Sequence, residues 1–464
     1  MKLHYPFGRI KTELKALWFL CWPTLIGLLA NVGMGAADIA MAGHYSAQDL
    51  AGVSLGVSIW HITTVTIIGL MMVVNSQVSQ LFGAEKYDQI QSTVMQSIWM
   101  AIFIGVIAWA VVQQTSHIYS YMSISAEVKH VATQFVLIIS FALPAFACYR
   151  SLYGYLASVG RTKIIMSVAI FGLLESIFFN WVFVWGNLGF PAMGGIGCAW
   201  SNLITVWTNL ALATAWIWWY DYLRVNVKFH VFEWPNYQRI RSMLKIGIPV
   251  AITQFAETSA FSLIALAIAK FGAEKVAAHQ IALNFTSIVF MLPMGFGISL
   301  LTRVGQAIGA EDLKEAKFRA NVGVGTALAF GLISAFCIAY FNTFIASLYT
   351  NDTQVQDIAA SLLIFAALFQ ISDATQVVIS NAIRAYQTTR IPMIIHLSAF
   401  LLICIPVGLW LGLSPSFLPE PPWDTSGPTG FWLALIIGLS IAALGLFAYL
   451  KHVSQKFIDH QLKK

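Results

Sequence analysis

Four carboxylates stand where carboxylates are expensive. Asp38, Glu175, Glu257 and Asp373 lie well inside apolar runs, whereas the other acidic residues fall in loops, tails or run edges. A charge at bilayer depth costs about 2.5–3.5 kcal/mol on insertion scales. The Lys and Arg residues are read in loops or near run ends, so none is placed to offset that cost. A carboxylate that is costly when charged and unpaired can take up a proton or a sodium ion instead. The chemistry these residues offer is therefore cation loading and release. The alternative is a polar clamp between helices.

Hydropathy identifies the elements that must hold them. The chain has 464 residues, 58% of them hydrophobic and 10% charged, with mean hydropathy +0.74. Soluble domains are nearer about 25% charged. This balance predicts an all-α membrane protein. The net charge of +6 rests on few residues scattered between apolar runs, so no nucleic-acid partner is expected. Twelve spans are predicted, near 16–43, 50–81, 93–114, 131–158, 163–186, 195–219, 244–269, 276–308, 320–341, 356–385, 391–413 and 430–451. With the N-terminus in the cytoplasm, 23 of the 26 Lys and Arg fall inside, and only Lys129, Lys270 and Lys275 outside. That bias predicts cytoplasmic termini. The cysteines at 21, 148, 198, 337 and 404 all sit in apolar runs without CxxC spacing and read as packing residues.

The longest basic connection lies near the middle and points to a repeat. At an offset of 226, Pro23 meets Pro249, and QLFGAEK (80–86) meets QAIGAED (306–312). At 227, GRTKIIM (160–166) meets QTTRIPM (387–393). The expected organisation is an N-terminal lobe at 1–219, a cytoplasmic linker at 220–243 and a C-terminal lobe at 244–464. Six spans per copy make the copies parallel, with a cleft expected between them. None of the four acids is duplicated: Asp38 aligns with Ile264, Glu257 with Asn31, Asp373 with Phe146 and Glu175 with Leu402. The copies share a scaffold and carry different chemistry.

The segments GMGAADIAMAGHYSAQDLA, GGIGCAWSNLI, VAAHQIALNFTSIVFMLPMGFG, RVGQAIGAED and FQISDATQVV carry a resemblance that covers nearly the whole chain in order. The sequence resembles the multidrug and toxic compound extrusion (MATE) family, in its NorM-like bacterial branch. The resemblance implies twelve transmembrane helices in two pseudo-symmetric six-helix lobes forming a V. It implies export of bulky, mostly cationic compounds in exchange for Na+ or H+, from a bacterial inner membrane. By position, Asp38 matches the first-helix aspartate of the family, and Asn180 a polar partner on the fifth helix. Glu257 and Asp373 match the seventh- and tenth-helix acids, a candidate Na+ site. Three positions depart from the family pattern: Phe369 where Tyr is usual, Ser176 (preceded by Glu175) where Asn is usual, and Asn202 where Thr is common. These departures weaken a second-lobe sodium site and add acid to the first lobe, so the ion stays open between Na+ and H+. Asn31, Ser176, Asn180 and Asn202 are expected as supporting polar residues, and Glu175 as a further coupling acid.

Aromatics at Trp60, Phe255, Phe285 and Phe369 are candidates to line a cleft for flat cations through cation–π contacts. The partners expected are small organic cations and membrane lipids, with no cofactor beyond the coupling ion and a monomeric state. HYSAQD (44–49) and GYLASVGRTK (154–163) are chance matches to enzyme motifs, and His279 with Gln280 reads as helix-end packing. Two other functions remain. An exporter or flippase of lipid-linked substrates would need cations lining its cleft. A polytopic membrane enzyme would need a metal or nucleophile cluster at one membrane face.

Overall fold

The computed structural model describes residues 7–121, 124–220, 232–413 and 427–462; residues 221–231 of the expected linker lie outside this set. The helices are α1 (Phe7–Tyr45), α2 (Ala47–Gly83), α3 (Tyr87–Thr115), α4 (Ala126–Ser140), α5 (Leu143–Ser158), α6 (Thr162–Trp185), α7 (Gly195–Tyr220) and α8 (Tyr237–Ile268). They continue with α9 (Ala273–Gly309), α10 (Leu313–Tyr340), α11 (Asn342–Tyr349), α12 (Thr353–Ala385), α13 (Arg390–Leu397), α14 (Ile405–Leu413) and α15 (Pro428–Leu462). No strand occurs among the described residues.

Ten described helical segments are long and apolar enough to cross a membrane, and α4 with α5, bent by 49°, make an eleventh. The 26-residue α7, outside that set, carries Asn202, Asn209 and several Trp. At 1.5 Å per residue it still exceeds the ~30 Å hydrocarbon core, so the described helices are consistent with the twelve spans expected.

The repeat is written in the element boundaries. α2 (Ala47–Gly83) and α9 (Ala273–Gly309) match at an offset of 226 at both ends. The turns that follow them put Glu85 (φ 56°) and Glu311 (φ 59°) in the left-handed region, at the same offset. One non-glycine residue in that conformation is uncommon. Two at equivalent positions mark one turn used twice. A second such pair, Gly160 (φ 75°) and Gln387 (φ 57°), keeps the offset of 227.

Each copy breaks a span that the other keeps straight. The fourth span is split between α4 and α5 just before Pro144, whereas its counterpart α12 runs unbroken for 33 residues. Pro144 lacks a donor and restricts the residue before it, so the helix cannot continue through it unbent. Conversely α6 is continuous, while α13 and α14 are joined by a π-helix at Ser398–Cys404, ahead of Pro406. Pro406 cannot donate to residue 402, and the wider turn absorbs that loss. The short α11 is a helix that the hydropathy reading does not separate from its neighbours.

By packing, the chain forms two compact units. The N-terminal unit is Trp22–Ala251; the C-terminal unit is Met1–Cys21 with Ile252–Lys464. The chain thus passes from one unit to the other inside α1 and α8, each time beside a helix-interior proline, Pro23 and Pro249. Residues 7–21 are fastened to the C-terminal unit by charge. Buried Glu13 receives both Nε (3.0 Å) and Nη2 (2.5 Å) of Arg303, and Arg319 stands 3.6 Å away. Arg319 and Arg9 both pair with Glu315, at 3.0 and 2.6 Å. In the N-terminal unit small residues set the helix spacing. A Cβ at Gly52 or Gly56 of α2 would fall 2.6 Å from Val131 or 2.3 Å from Phe135 of α4, an approach only glycine permits.

Candidate cation-binding sites

Asp38 lies on α1 in the N-terminal unit and is 3% exposed. Its two carboxylate oxygens accept one hydrogen bond each. Asn180 Nδ2 of α6 donates to Oδ1 at 2.7 Å, and Asn202 Nδ2 of α7 to Oδ2 at 2.6 Å. Cys198 Sγ donates to the Asp38 backbone carbonyl at 3.7 Å. Three helices therefore meet on one carboxylate, and its hydrogen-bond partners are neutral. No described basic residue pairs with it. The arrangement steadies a carboxylate without neutralising it, which leaves the charge for a cation to complement.

The seam between α6 and α7 continues away from this cradle. Glu175 takes a side-chain hydrogen bond from Thr208. Ser201 Oγ donates to the backbone carbonyl of Ser176 at 3.0 Å. Asn209 Oδ1 lies against α6 where Gly172 leaves room, 2.7 Å from where a Cβ would stand. Five buried oxygens along this seam have no partner: Asn180 Oδ1, Ser176 Oγ, Thr205 Oγ1, Glu175 Oε2 and Asn209 Oδ1. Leaving a buried polar atom unpaired costs about 1–3 kcal/mol. Asn31 is elsewhere in use. It is exposed and donates to the Gly27 carbonyl of its own helix at 2.8 Å, two turns before Asp38.

In the C-terminal unit, Asp373 of α12 is 5% exposed and accepts from Gln376 Nε2 at 3.2 Å. Glu257 of α8 is half-buried and within electrostatic reach of Asp373 and of Arg384. The sequence places Arg384 at a span end, and it does sit in the last turn of α12; its 9% exposure makes it a buried cation nonetheless. It therefore offsets acid charge that the sequence leaves uncompensated. The unpartnered buried atoms of this unit include five nitrogens, both of His279, Gln370 Nε2, Trp432 Nε1 and His396 Nδ1, beside Gln370 Oε1, Gln376 Oε1, Tyr386 Oη and Thr388 Oγ1. His396 Nε2 meets Ser380 Oγ at 2.9 Å.

The aromatic candidates separate. Phe255 is 50% exposed. Trp60 is half-buried, edge-on to Phe146 at 5.7 Å. Phe285 packs partly buried on the C-terminal core. Phe369 is 4% exposed, edge-on to Phe261 (6.1 Å) and Trp432 (5.5 Å), so in this structure it fills the core rather than lining an open face. The HYSAQD stretch has a structural use: Ser46 caps α2, and Asp49 Oδ1 accepts from Gly195 N at 2.6 Å.

Thr205, Thr208 and Asn209 are absent from the sequence-read site. The available signal is their spacing, because Ser201, Asn202, Thr205, Thr208 and Asn209 recur every three or four residues on one apolar helix. For Gln370, Gln376, Ser380 and Arg384 the same stripe runs along α12.

Comparison with known proteins places this geometry. The MatE family model matches residues 23–182 and 249–410. The chain is 38% identical over 451 residues to the multidrug resistance protein PmpM of Pseudomonas aeruginosa, covering 97% of this chain and 94% of that protein. It is 37% identical over 454 residues to the multidrug resistance protein NorM of Vibrio cholerae, covering 98% of both. Among solved structures, a eukaryotic MATE transporter, AtDTX14, superposes with a TM-score of 0.85 at 18% identity, covering 97% of this chain and 99% of that one. The two matched segments fall one in each sequence repeat, so the family match and the internal repeat describe the same duplication. This chain belongs to the MatE family of membrane transporters.

Proposed function

We propose that the protein is a multidrug exporter that expels bulky, mostly cationic organic compounds by antiport with Na+ or H+. Names of full-length relatives support the efflux reading. The observation that carries the coupling is Asp38, a buried carboxylate whose two oxygens are held by neutral carboxamides from two other helices. Loading a proton or sodium ion removes the reason for that grip, and α1 is then free to repack against α6 and α7. A ligand shifts such an equilibrium only by its differential affinity for the two arrangements, and an ion gradient supplies that difference. Glu257 and Asp373 form a second loading point, for Na+ or a proton, in the C-terminal unit. Glu175 is a third acid beside the first. The protein is read as a multi-pass inner-membrane monomer with both termini in the cytoplasm, in contact with lipid and with its drug substrates.

The test is efflux of a fluorescent cation from vesicles under a sodium gradient alone or a proton gradient alone, with Asp38→Asn, Glu257→Gln and Asp373→Asn. Loss of gradient-driven efflux in Asp38→Asn is expected. Full transport in all three variants would sink the mechanism.

A further inference from the structure

The unpartnered atoms of the α6–α7 seam share one property: all five are oxygens. The donors that might have met them are committed elsewhere. The Asn180 and Asn202 amides point at Asp38, the Ser201 hydroxyl at the Ser176 carbonyl, and Thr208 at Glu175. What remains is one carboxylate oxygen, two carboxamide oxygens and two hydroxyls, all with lone pairs that can ligate a cation. Ser176 and Thr205 are fully buried and Asn209 is 6% exposed.

Register lays these residues along one stretch of the seam, about a turn of α6 and two of α7. Ser201 bonds to Ser176, and Asn209 fills the space opposite Gly172, one turn away on α6. Thr205 lies one turn from both Ser201 and Asn209, so it faces the Gly172–Ser176 turn. Glu175 belongs to that turn and is tied to Thr208 of the next. A side chain at Gly172 would close the space against Asn209 Oδ1.

We propose that this seam binds a monovalent hard cation of the sodium class between Glu175, Thr205 and Asn209, with Ser176 completing the oxygen set. Hard cations take oxygen ligands. A single carboxylate matches a single charge and undercharges a divalent ion. A proton would engage one carboxylate oxygen and leave the neutral oxygens unmet. No described basic residue pairs with Glu175 in the cation's place. The site is distinct from the Asp38 carboxylate and from the Glu257–Asp373 pair. It rests on the coupling reading for its role in transport but not for its existence.

The experiment is saturation binding of radioactive sodium to the purified full-length protein in detergent, with choline chloride holding ionic strength constant. Glu175→Gln and Asn209→Leu should each weaken sodium binding about tenfold or more, the usual scale for disturbing a metal's surroundings. Thr205→Val keeps the side-chain shape and removes only the oxygen; it should weaken binding several-fold while leaving the melting temperature and elution profile unchanged. Binding should persist in the triple variant Asp38→Asn, Glu257→Gln, Asp373→Asn. Wild-type affinity in both Glu175→Gln and Thr205→Val, or loss of sodium binding in the triple variant, overturns the proposal. The coupling reading fails by a different measurement, full gradient-driven efflux in Asp38→Asn, Glu257→Gln and Asp373→Asn, so the two failures are separable.

Discussion

The two units solve the problem of a buried acid in opposite ways. In the N-terminal unit Asp38 is gripped by two neutral amides at 2.7 and 2.6 Å, and the unmet atoms nearby are oxygens. In the C-terminal unit Asp373 has one side-chain donor at 3.2 Å, a second acid within reach and a buried arginine beyond it, and the unit's unmet atoms include five nitrogens. The same scaffold, repeated at a fixed offset, therefore holds one tightly organised carboxylate and one loosely organised pair. The difference teaches that duplication conserves where helices run, while the chemistry is set by side chains that the copies do not share. Lone pairs invite a cation, whereas N–H donors repel one and suit water or an acceptor group.

The comparison breaks most directly if the acids are exchanged for amides. Asp38→Asn should abolish drug efflux under either gradient, because an amide can neither hold the charge nor release a cation. Asp373→Asn and Glu257→Gln should spare part of the efflux, because Asp38 still loads. Equal, complete losses in all three, read by dye efflux from vesicles, would mean that the two sites act as one unit and that the contrast is only structural.

Glu13 supplies the control for burial itself. It is 3% exposed, like Asp38, but two arginines hold it. Glu13→Gln leaves Arg303 without its anion, while Arg319 keeps Glu315. It should lower stability by about 3–5 kcal/mol, the cost of breaking a buried pair, seen as a fall in thermal midpoint. The ion dependence of whatever transport remains should not change. A shift in ion dependence would move Glu13 into the coupling machinery and blur the line between paired and unpaired acids.

Much of this layout is legible in the sequence, for identifiable reasons. Spans and repeat are visible because lipid demands long apolar helices and because Glu85 and Glu311 sit in a duplicated turn. Asp38 stands out as a charged type in an apolar run, and Asn180 and Asn202 are found by position through the family resemblance. What hides is pairing across helices. Nothing in one dimension tells that Asn202 shares Asp38 with Asn180, that Thr208 reaches Glu175, or that Arg384 folds inward from a span end. The kink before Pro144 follows from the proline, although the hydropathy reading runs one span through it at 131–158. The π-turn before Pro406 depends on how neighbouring helices take up the slack, so the proline alone does not specify it.

Asn202→Leu sharpens the comparison by making Asp38 resemble Asp373, with one donor in place of two. The lost hydrogen bond is worth about 1–3 kcal/mol, and about 1.4 kcal/mol corresponds to tenfold in affinity. The donor favours the empty, charged carboxylate, so its removal should make Asp38 hold a coupling cation about tenfold more tightly. Efflux should then saturate at a smaller gradient and turn over more slowly. Unchanged gradient dependence would show that Asn202 packs helices without tuning the carboxylate.

Phe369→Tyr makes the smallest change and runs the comparison in the other direction. Phe369 lies one turn before Asp373, edge-on to Phe261 and Trp432 in a closed core. A hydroxyl there adds an oxygen to a unit whose unmet atoms include five nitrogens. If its oxygen reaches the acid pair, sodium stimulation of efflux should rise about two- to threefold, well under the tenfold that 1.4 kcal/mol would bring. If it stays in the core, it is one more buried polar group, with a stability cost of about 1–3 kcal/mol and no change in ion dependence. The two outcomes are read by the same pair of measurements, a thermal midpoint and efflux with and without sodium. Only the first would mean that ligand oxygens, rather than the surrounding electrostatics, separate the two units.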